Sequence, residues 1–201
     1  MKREPLVSVI INCLNGEEFL REAISSVIQQ SYANWEIIFW DNGSFDRSVE
    51  IASSYYDPRI RIYQNEVTIP LGKARNCAAE LAKGEYIQFL DVDDFLKENN
   101  LYEKIKLINN SNTIINFIFS SVFYFYQATS SFRQQYIANW TKCTHQQKLE
   151  RLLEFDYIPF ASALMSKEIF QRLGGFNDKY MHSPDYDLFL RIMCVTEIEY
   201  I

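Results

Sequence analysis

The 201-residue chain has a net charge of −6, 48% hydrophobic residues, and only 6 Gly and 5 Pro. That content excludes a disordered chain, and the length suffices for one domain with a sizeable core. The acidic balance gives no basis for a nucleic-acid partner, which requires a basic face, and no apolar stretch approaches the roughly 18–20 residues of a membrane span.

Val7 to Ile11 is a β-branched run and reads as a buried strand, ended by Asn12-Cys13-Leu14-Asn15-Gly16. Asn15 is expected to cap the following helix, with Glu18 as its capping-box partner. Phe19, Leu20, Ala23, Ile24, Val27 and Ile28 supply that helix's apolar stripe. Trp35 to Trp40 reads as a second strand, turned by Asp41-Asn42-Gly43-Ser44, and Ser44 or Asp46 starts a helix carrying Val49, Ile51 and Ala52. Arg59 to Tyr63 alternates as a half-exposed strand does. Leu71, Ala74, Ala78 and Leu81 give a third amphipathic helix, with Gly84 expected to close it.

Tyr86 to Leu90 is the fourth strand, and Asp91-Val92-Asp93-Asp94 follows it. Three carboxylates this close are costly unless cations or hydrogen-bond donors compensate. The pattern suits a hard-metal site for Mg²⁺ or Mn²⁺, completed by a bound phosphate. It equally suits an acidic turn in which Asp94 starts the next helix, carried by Leu101, Ile105 and Ile108.

Four alternations of strand and helix predict an α/β domain with a mostly parallel sheet. Ligands of such sheets bind beyond the carboxyl ends of the strands, so the polar turns after the first, second and fourth strands should share one edge. The remainder is less regular. Ile114 to Tyr126 is strand-like and aromatic, Gln127 to Gln147 has no clear period, and Lys148 to Phe155 reads as a short helix. Ser166 caps a helix that stops at Gly174-Gly175, and Pro184 opens a helix with Asp185 and Asp187 in its first turn. Glu197 to Ile201 looks like the start of another strand, so the protein is expected to continue beyond it.

These segments, in this order, resemble the family 2 glycosyltransferases: Val7 to Asn15, Glu36 to Asp46, the Ala74-Arg75-Asn76 triplet, Lys83 to Asp94, Leu173-Gly174-Gly175-Phe176, and Pro184 to Leu188. The resemblance implies a GT-A fold, a central mostly parallel mixed sheet flanked by helices. A nucleotide-sugar-binding half would span 1–109, and an acceptor and catalytic-base half 110–201. It implies that Asn12, Leu14, Asn15, Asp41, Asn42, Arg75, Asp91 and Val92 line the nucleotide-sugar pocket. Asp93 would be the direct metal ligand, with Asp91 second in the metal set and nearer the ribose. Asp185 would be the general base of an inverting transfer.

The implied cofactor is Mg²⁺ or Mn²⁺. The implied donor is a nucleoside-diphosphate sugar, with a UDP-sugar favoured, and the acceptor a glycan or lipid-linked saccharide. The chemistry is coherent, because a metal-neutralised diphosphate leaves without a protonating acid and one carboxylate then suffices to take the acceptor proton. Leu14, Asn42 and Pro184 depart from the family pattern and motivate a competing reading, a non-catalytic nucleotide- or glycan-binding domain. Cys13, Cys77, Cys143 and Cys194 lack zinc or disulfide spacing. Reduced thiols and the absence of a leader-like start imply a cytoplasmic protein, compatible with peripheral association at the inner face of the membrane.

Overall fold

The computed structural model describes residues 3–135, 140–180 and 182–201. The β-branched run at the start forms β1 (Val7–Cys13), buried along its whole length. β1 is flanked in parallel by β2 (Trp35–Asp41) and β4 (Tyr86–Asp91), and β2 pairs in parallel with β3 (Ile60–Gln64). β8 (Leu164–Ser166) runs antiparallel to β4, β5 (Phe117–Phe119) runs antiparallel to β8, and β9 (Glu199–Tyr200) pairs in parallel with β5. The order β3-β2-β1-β4-β8-β5-β9 is the mostly parallel mixed sheet expected.

Side chains alternate across this sheet into two apolar clusters. Val7, Val9 and Ile11 face α1 (Leu20–Ile28), α2 (Ser48–Ser53) and α4 (Asn100–Asn110). Ile10, Ile38, Ile87 and Phe89 face α3 (Leu71–Leu81), α5 (His145–Glu154), α6 (Lys167–Arg172) and α7 (Pro184–Met193). No helix among the described residues is long and apolar enough to cross a membrane. Cys13, Cys77 and Cys194 are free thiols.

Several local expectations are corrected. Asn15 caps nothing. It sits at φ 56°, α1 begins only at Leu20, and the Asn15 side chain turns back to accept from Phe45 N–H. Asp94 does not start a helix either, since α4 opens at Asn100 after a turn closed by Asp94 N–H on the Asp91 carbonyl. Gly84 is no helix cap, because α3 ends at Leu81 into extended backbone. A Cβ on Gly84 would lie 2.6 Å from Ser8 N and 2.7 Å from Leu6 O, so Gly84 is needed for close approach to β1.

The irregular second half resolves into pieces too short for periodicity to register. The aromatic run divides into β5 and β6 (Val122–Tyr126), and β6 pairs with β7 (Ser131–Gln135) as a separate two-stranded ribbon. Part of the unplaced stretch, residues 136–139, lies outside the described residues. α5 starts earlier than expected, at His145, where Thr144 and Gln147 form a reciprocal capping box. Ser166 caps α6 as anticipated, and Gly174 and Gly175 end it at φ 79° and 68°.

Candidate active site

Strand register sets the site. Asn12, near the end of β1, is paired across the sheet with Trp40 on one side and Asp91 on the other. With strand order 3-2-1-4, the path of the chain reverses between β1 and β4, and that is where a crevice opens in such sheets. Asn12 is nine-tenths buried, yet neither atom of its amide has a hydrogen-bond partner, and the indole N–H of Trp40 beside it has none. Buried polar groups are almost always paired, so three such atoms side by side, with no partner among the described residues, single out this point of the sheet edge.

The turns after β1 and β2 are stitched together as the sheet topology requires. Asn15 N–H donates to Ser44 Oγ, Gly16 N–H to Ser48 Oγ, and Glu17 N–H to Asp46 Oδ2. This stitching occupies several of the expected pocket residues. The Asp41 carboxylate accepts from Gly43 and Ser44 N–H inside its own turn. Both ends of the Asn42 amide bind the Ile69 backbone, Nδ2 donating at 2.8 Å and Oδ1 accepting at 3.2 Å. Leu14 is half-exposed at the rim, and Val92 packs on Gly16, where an added Cβ would come within 2.3 Å of Val92 Cγ2. Asn15, Asp41 and Asn42 thus help to build the edge at which Asn12, Arg75 and Asp91 also stand, with Asp93 just beyond it.

Arg75 rises from α3 with its side chain almost fully buried. Its Nη2 donates to Asp91 Oδ1 at 2.7 Å, and its guanidinium lies 4.0 Å from the centroid of Phe160 and 5.6 Å from that of Phe176. A planar cation held on aromatic faces leaves its remaining N–H donors fixed in direction. Phe160, in the 3-10 turn Phe160–Ser162 before β8, was not foreseeable from local pattern.

The family segments explain one another physically. Asn76 Nδ2 donates to the Phe176 carbonyl and Asn76 Oδ1 accepts from Phe176 N–H, both at 2.8 Å. A Cβ on Gly175 would lie 2.4 Å from Asn76 Oδ1, so only glycine permits that clamp.

Asp93 is exposed beyond the end of β4, and no side chain of the described residues pairs with its carboxylate. The Asp94 carboxyl is pushed up to about 6 by partial burial in the turn and by the neighbouring charges of Asp91 and Asp93, although its rim still meets solvent. Among the described residues no group of three His, Cys, Asp or Glu side chains could hold a metal ion.

Asp185 lies in the first turn of α7, after Ser183 in the left-handed region. An ideal Cβ on Gly72 would stand 3.7 Å from Pro184 Cβ, so α7 begins against α3 one turn before Arg75. Asp156 is a further acidic group here that pattern reading missed. Partial burial, with the charge of Asp185 adding to it, pushes its carboxyl up to about 6. The end of α5, just before the loop that carries it, is tied to α7 by Tyr186 Oη donating to the Leu152 carbonyl at 2.6 Å.

Comparison with known proteins agrees with this architecture. The model described as Glycosyl transferase family 2 matches residues 8–174. An Escherichia coli protein named UDP-Glc:alpha-D-GlcNAc-diphosphoundecaprenol beta-1,3-glucosyltransferase WfgD is 31% identical over 188 residues, covering 94% of this chain and 70% of that protein. An uncharacterized glycosyltransferase of Rickettsia prowazekii is 30% identical over 204 residues, and the chain spans 60% of its length. Among solved structures, S. aureus TarS 1-349 in complex with UDP-GlcNAc aligns over 97% of this chain and 55% of its own, with TM-score 0.80 at 17% identity. The mannosyltransferase PcManGT from Pyrobaculum calidifontis, in complex with GDP-Man and Mn²⁺, aligns over 99% of this chain and 55% of its own, with TM-score 0.74 at 18% identity. The sheet is thus that of the GT-A glycosyltransferases, and the chain belongs to glycosyl transferase family 2.

Proposed function

We propose that this chain carries the donor site and catalytic base of an inverting glycosyltransferase, acting on a nucleoside-diphosphate sugar and a hydroxyl acceptor. The observation that carries the reading is the convergence of the unpaired Asn12 amide, Asp91 and the aromatic-mounted Arg75 at the β1–β4 reversal. Uridine is the favoured base, because WfgD is named for UDP-Glc and TarS was solved with UDP-GlcNAc. The acceptor is a glycan or a lipid-linked saccharide, in keeping with the diphosphoundecaprenol-linked substrate in the name of WfgD.

A divalent cation fits the residues present. The unpaired Asp93 carboxylate, with the free oxygen of Asp91, is an all-oxygen donor set suited to Mg²⁺ or Mn²⁺. Among the described residues no third carboxylate completes the shell, which matches ions that take most of their ligands from substrate phosphates and water. When bound, the cation would neutralise charge on the departing diphosphate. The chain's own groups do the rest. Asn12 offers an amide donor and acceptor to the nucleobase edge. Arg75 orients Asp91 and adds fixed positive charge. Asp185 takes the acceptor hydroxyl proton on the far side of the sugar.

Titration calorimetry with UDP and Mn²⁺ tests the donor site. Asp93→Asn should abolish the metal-dependent part of binding, and an unchanged isotherm would remove Asp93 from the metal set. Transfer is assayed on the full-length protein, where Asp185→Asn should keep donor binding and lose about 10²–10⁴-fold in rate. Full activity in that variant would remove Asp185 from the mechanism.

A further inference from the structure

A large concavity lies beside the donor edge. A groove of about 1120 Å³ runs from Asp93 and Asp94 between the segment that follows them and the β6–β7 ribbon. It exceeds the roughly 300–1,000 Å³ of ordinary small-molecule pockets.

One wall is rigid. Leu96 N–H donates to Ser26 Oγ at 3.0 Å, Gln30 Nε2 to the Lys97 carbonyl at 2.8 Å, and Ser31 N–H to the Glu98 carbonyl at 2.9 Å, so α1 and the residues just after it hold the segment. The other wall is aromatic. Phe123 and Phe125 lie two residues apart on β6 and therefore on one face of the ribbon. Phe132 is directly opposite Phe125 in register, with ring centroids 4.9 Å apart. Lys97 Nζ lies 3.4 Å from the centroid of Phe123. Phe125 and Phe132 are 49% and 59% exposed, and no ribbon residue belongs to either apolar cluster. Exposed aromatics on a two-stranded ribbon contribute little to folding and mark a contact surface.

Charge selects the occupant. Beyond Asp93, which the donor reading gives to a cation, Asp94, Glu22 and Glu103 line the groove against the one lysine, Lys97, whose ammonium is engaged by Phe123. That field disfavours an anionic lipid phosphate or an acidic glycan. A bare polyisoprenoid would bury those carboxylates without partners. A neutral saccharide satisfies both walls, because its hydroxyls donate to carboxylates and amides while its C–H faces lie on phenylalanine rings. The 3-10 turn links groove and donor edge, with Phe160 under Arg75 and Ala161 and Ser162 lining the groove.

We infer that this groove is the acceptor subsite, built for a neutral oligosaccharide of more than one ring. The acceptor assignment rests on the donor reading above, whereas sugar binding in the groove does not.

Saturation-transfer NMR with cellotetraose, maltotetraose and N-acetylchitotetraose tests it on the full-length protein. At least one probe should show transfer to its pyranose ring protons. Phe125→Ala/Phe132→Ala should weaken that probe by about tenfold or more, with Phe125→Tyr restoring it, while UDP binding with Mn²⁺ stays unchanged. Both side chains are half-exposed, so the double variant should melt as the parent does. The inference is overturned if no tetraose binds, if the double variant binds it unchanged, or if farnesyl phosphate or anionic vesicles occupy the groove in its place. If oligosaccharide binds as described but UDP does not, the donor reading falls and the groove remains a saccharide site.

Discussion

Arg75 Nη2 and Asp91 Oδ1 stand 2.7 Å apart, with the guanidinium buried on Phe160 and the carboxylate still 39% exposed at the sheet edge. The pair couples α3 to the end of β4 and fixes which oxygen of Asp91 faces outward. Arg75→Lys keeps the charge but loses the planar stack and the fork of donors. It should cost about 1–2 kcal/mol of stability, a partly solvated pair being worth less than a fully buried one. UDP affinity should fall by about tenfold, because Asp91 is no longer held. Chemical denaturation and calorimetry on the same variant check both effects.

The orphaned amide of Asn12 leads to the opposite expectation: if it serves the proposed donor site, it does so at the expense of stability. Asn12→Val replaces two unpaired buried polar atoms with a strand-favouring apolar side chain. The unliganded protein should gain about 1 kcal/mol, or roughly 2–4 °C in melting temperature for a chain this long. UDP should then raise the melting temperature less than it does in the parent. A variant that loses stability while keeping UDP affinity would show that Asn12 is a structural residue only.

Much of the fold was legible in the sequence because β1 to β4 and α1 to α4 are long enough to show period and punctuation. The acidic turn and the shared edge followed from strand polarity alone. What stayed hidden was long-range. Asn15 and Glu18 had the spacing of a capping box, but Ser44 and Phe45, thirty residues away, offered Asn15 better partners. Asp41 and Asn42 were legible as turn formers, but not the backbone each one holds: Asp41 accepts from Ser44 N–H in its own turn, and Asn42 binds the Ile69 carbonyl, twenty-seven residues away. Phe160 and Trp40 entered the site through tertiary packing, which leaves no local trace. β5, β8 and β9, at two or three residues each, are too short for any periodic signal.

Glu36 isolates folding from function, since it sits at the opposite end of β2 from the site. Its carboxylate is buried, which alone would raise its pKa, but hydrogen bonds from Ser8 Oγ, Lys83 N–H and Arg61 Nη2, each at 2.6 Å, outweigh this and lower it. A depressed folded pKa gives stability that is present above the unfolded value and lost as pH falls. Glu36→Gln should therefore cost about 1–3 kcal/mol at neutral pH and flatten the acid limb of the stability profile below about pH 5. Urea melts across that range should show the two proteins converging as pH drops, with UDP affinity at pH 7 unaffected.

Lys104 supplies the converse case on α4. It is fully buried, donates to Gln88 Oε1 at 3.1 Å and Asn100 Oδ1 at 2.8 Å, and burial pushes its pKa down to about 7. In the unfolded chain the same ammonium keeps its proton to about pH 10. Between these values the unfolded state binds more protons, so stability rises with pH and is lost as pH falls through 7. Lys104→Met removes this slope but leaves Gln88 Oε1 without a donor, a cost of about 1–3 kcal/mol. The two stability curves should cross, with the variant more stable near pH 6 and less stable near pH 10. Parallel curves would show that Lys104 keeps its ordinary affinity for protons. The lysine also has a positional role: Gln88 Nε2 donates to the Ala161 carbonyl at 2.8 Å, which anchors the turn that places Phe160 beneath Arg75. The variant should accordingly weaken UDP binding even at pH 6, where it is the more stable protein, and calorimetry at that pH separates anchoring from stability.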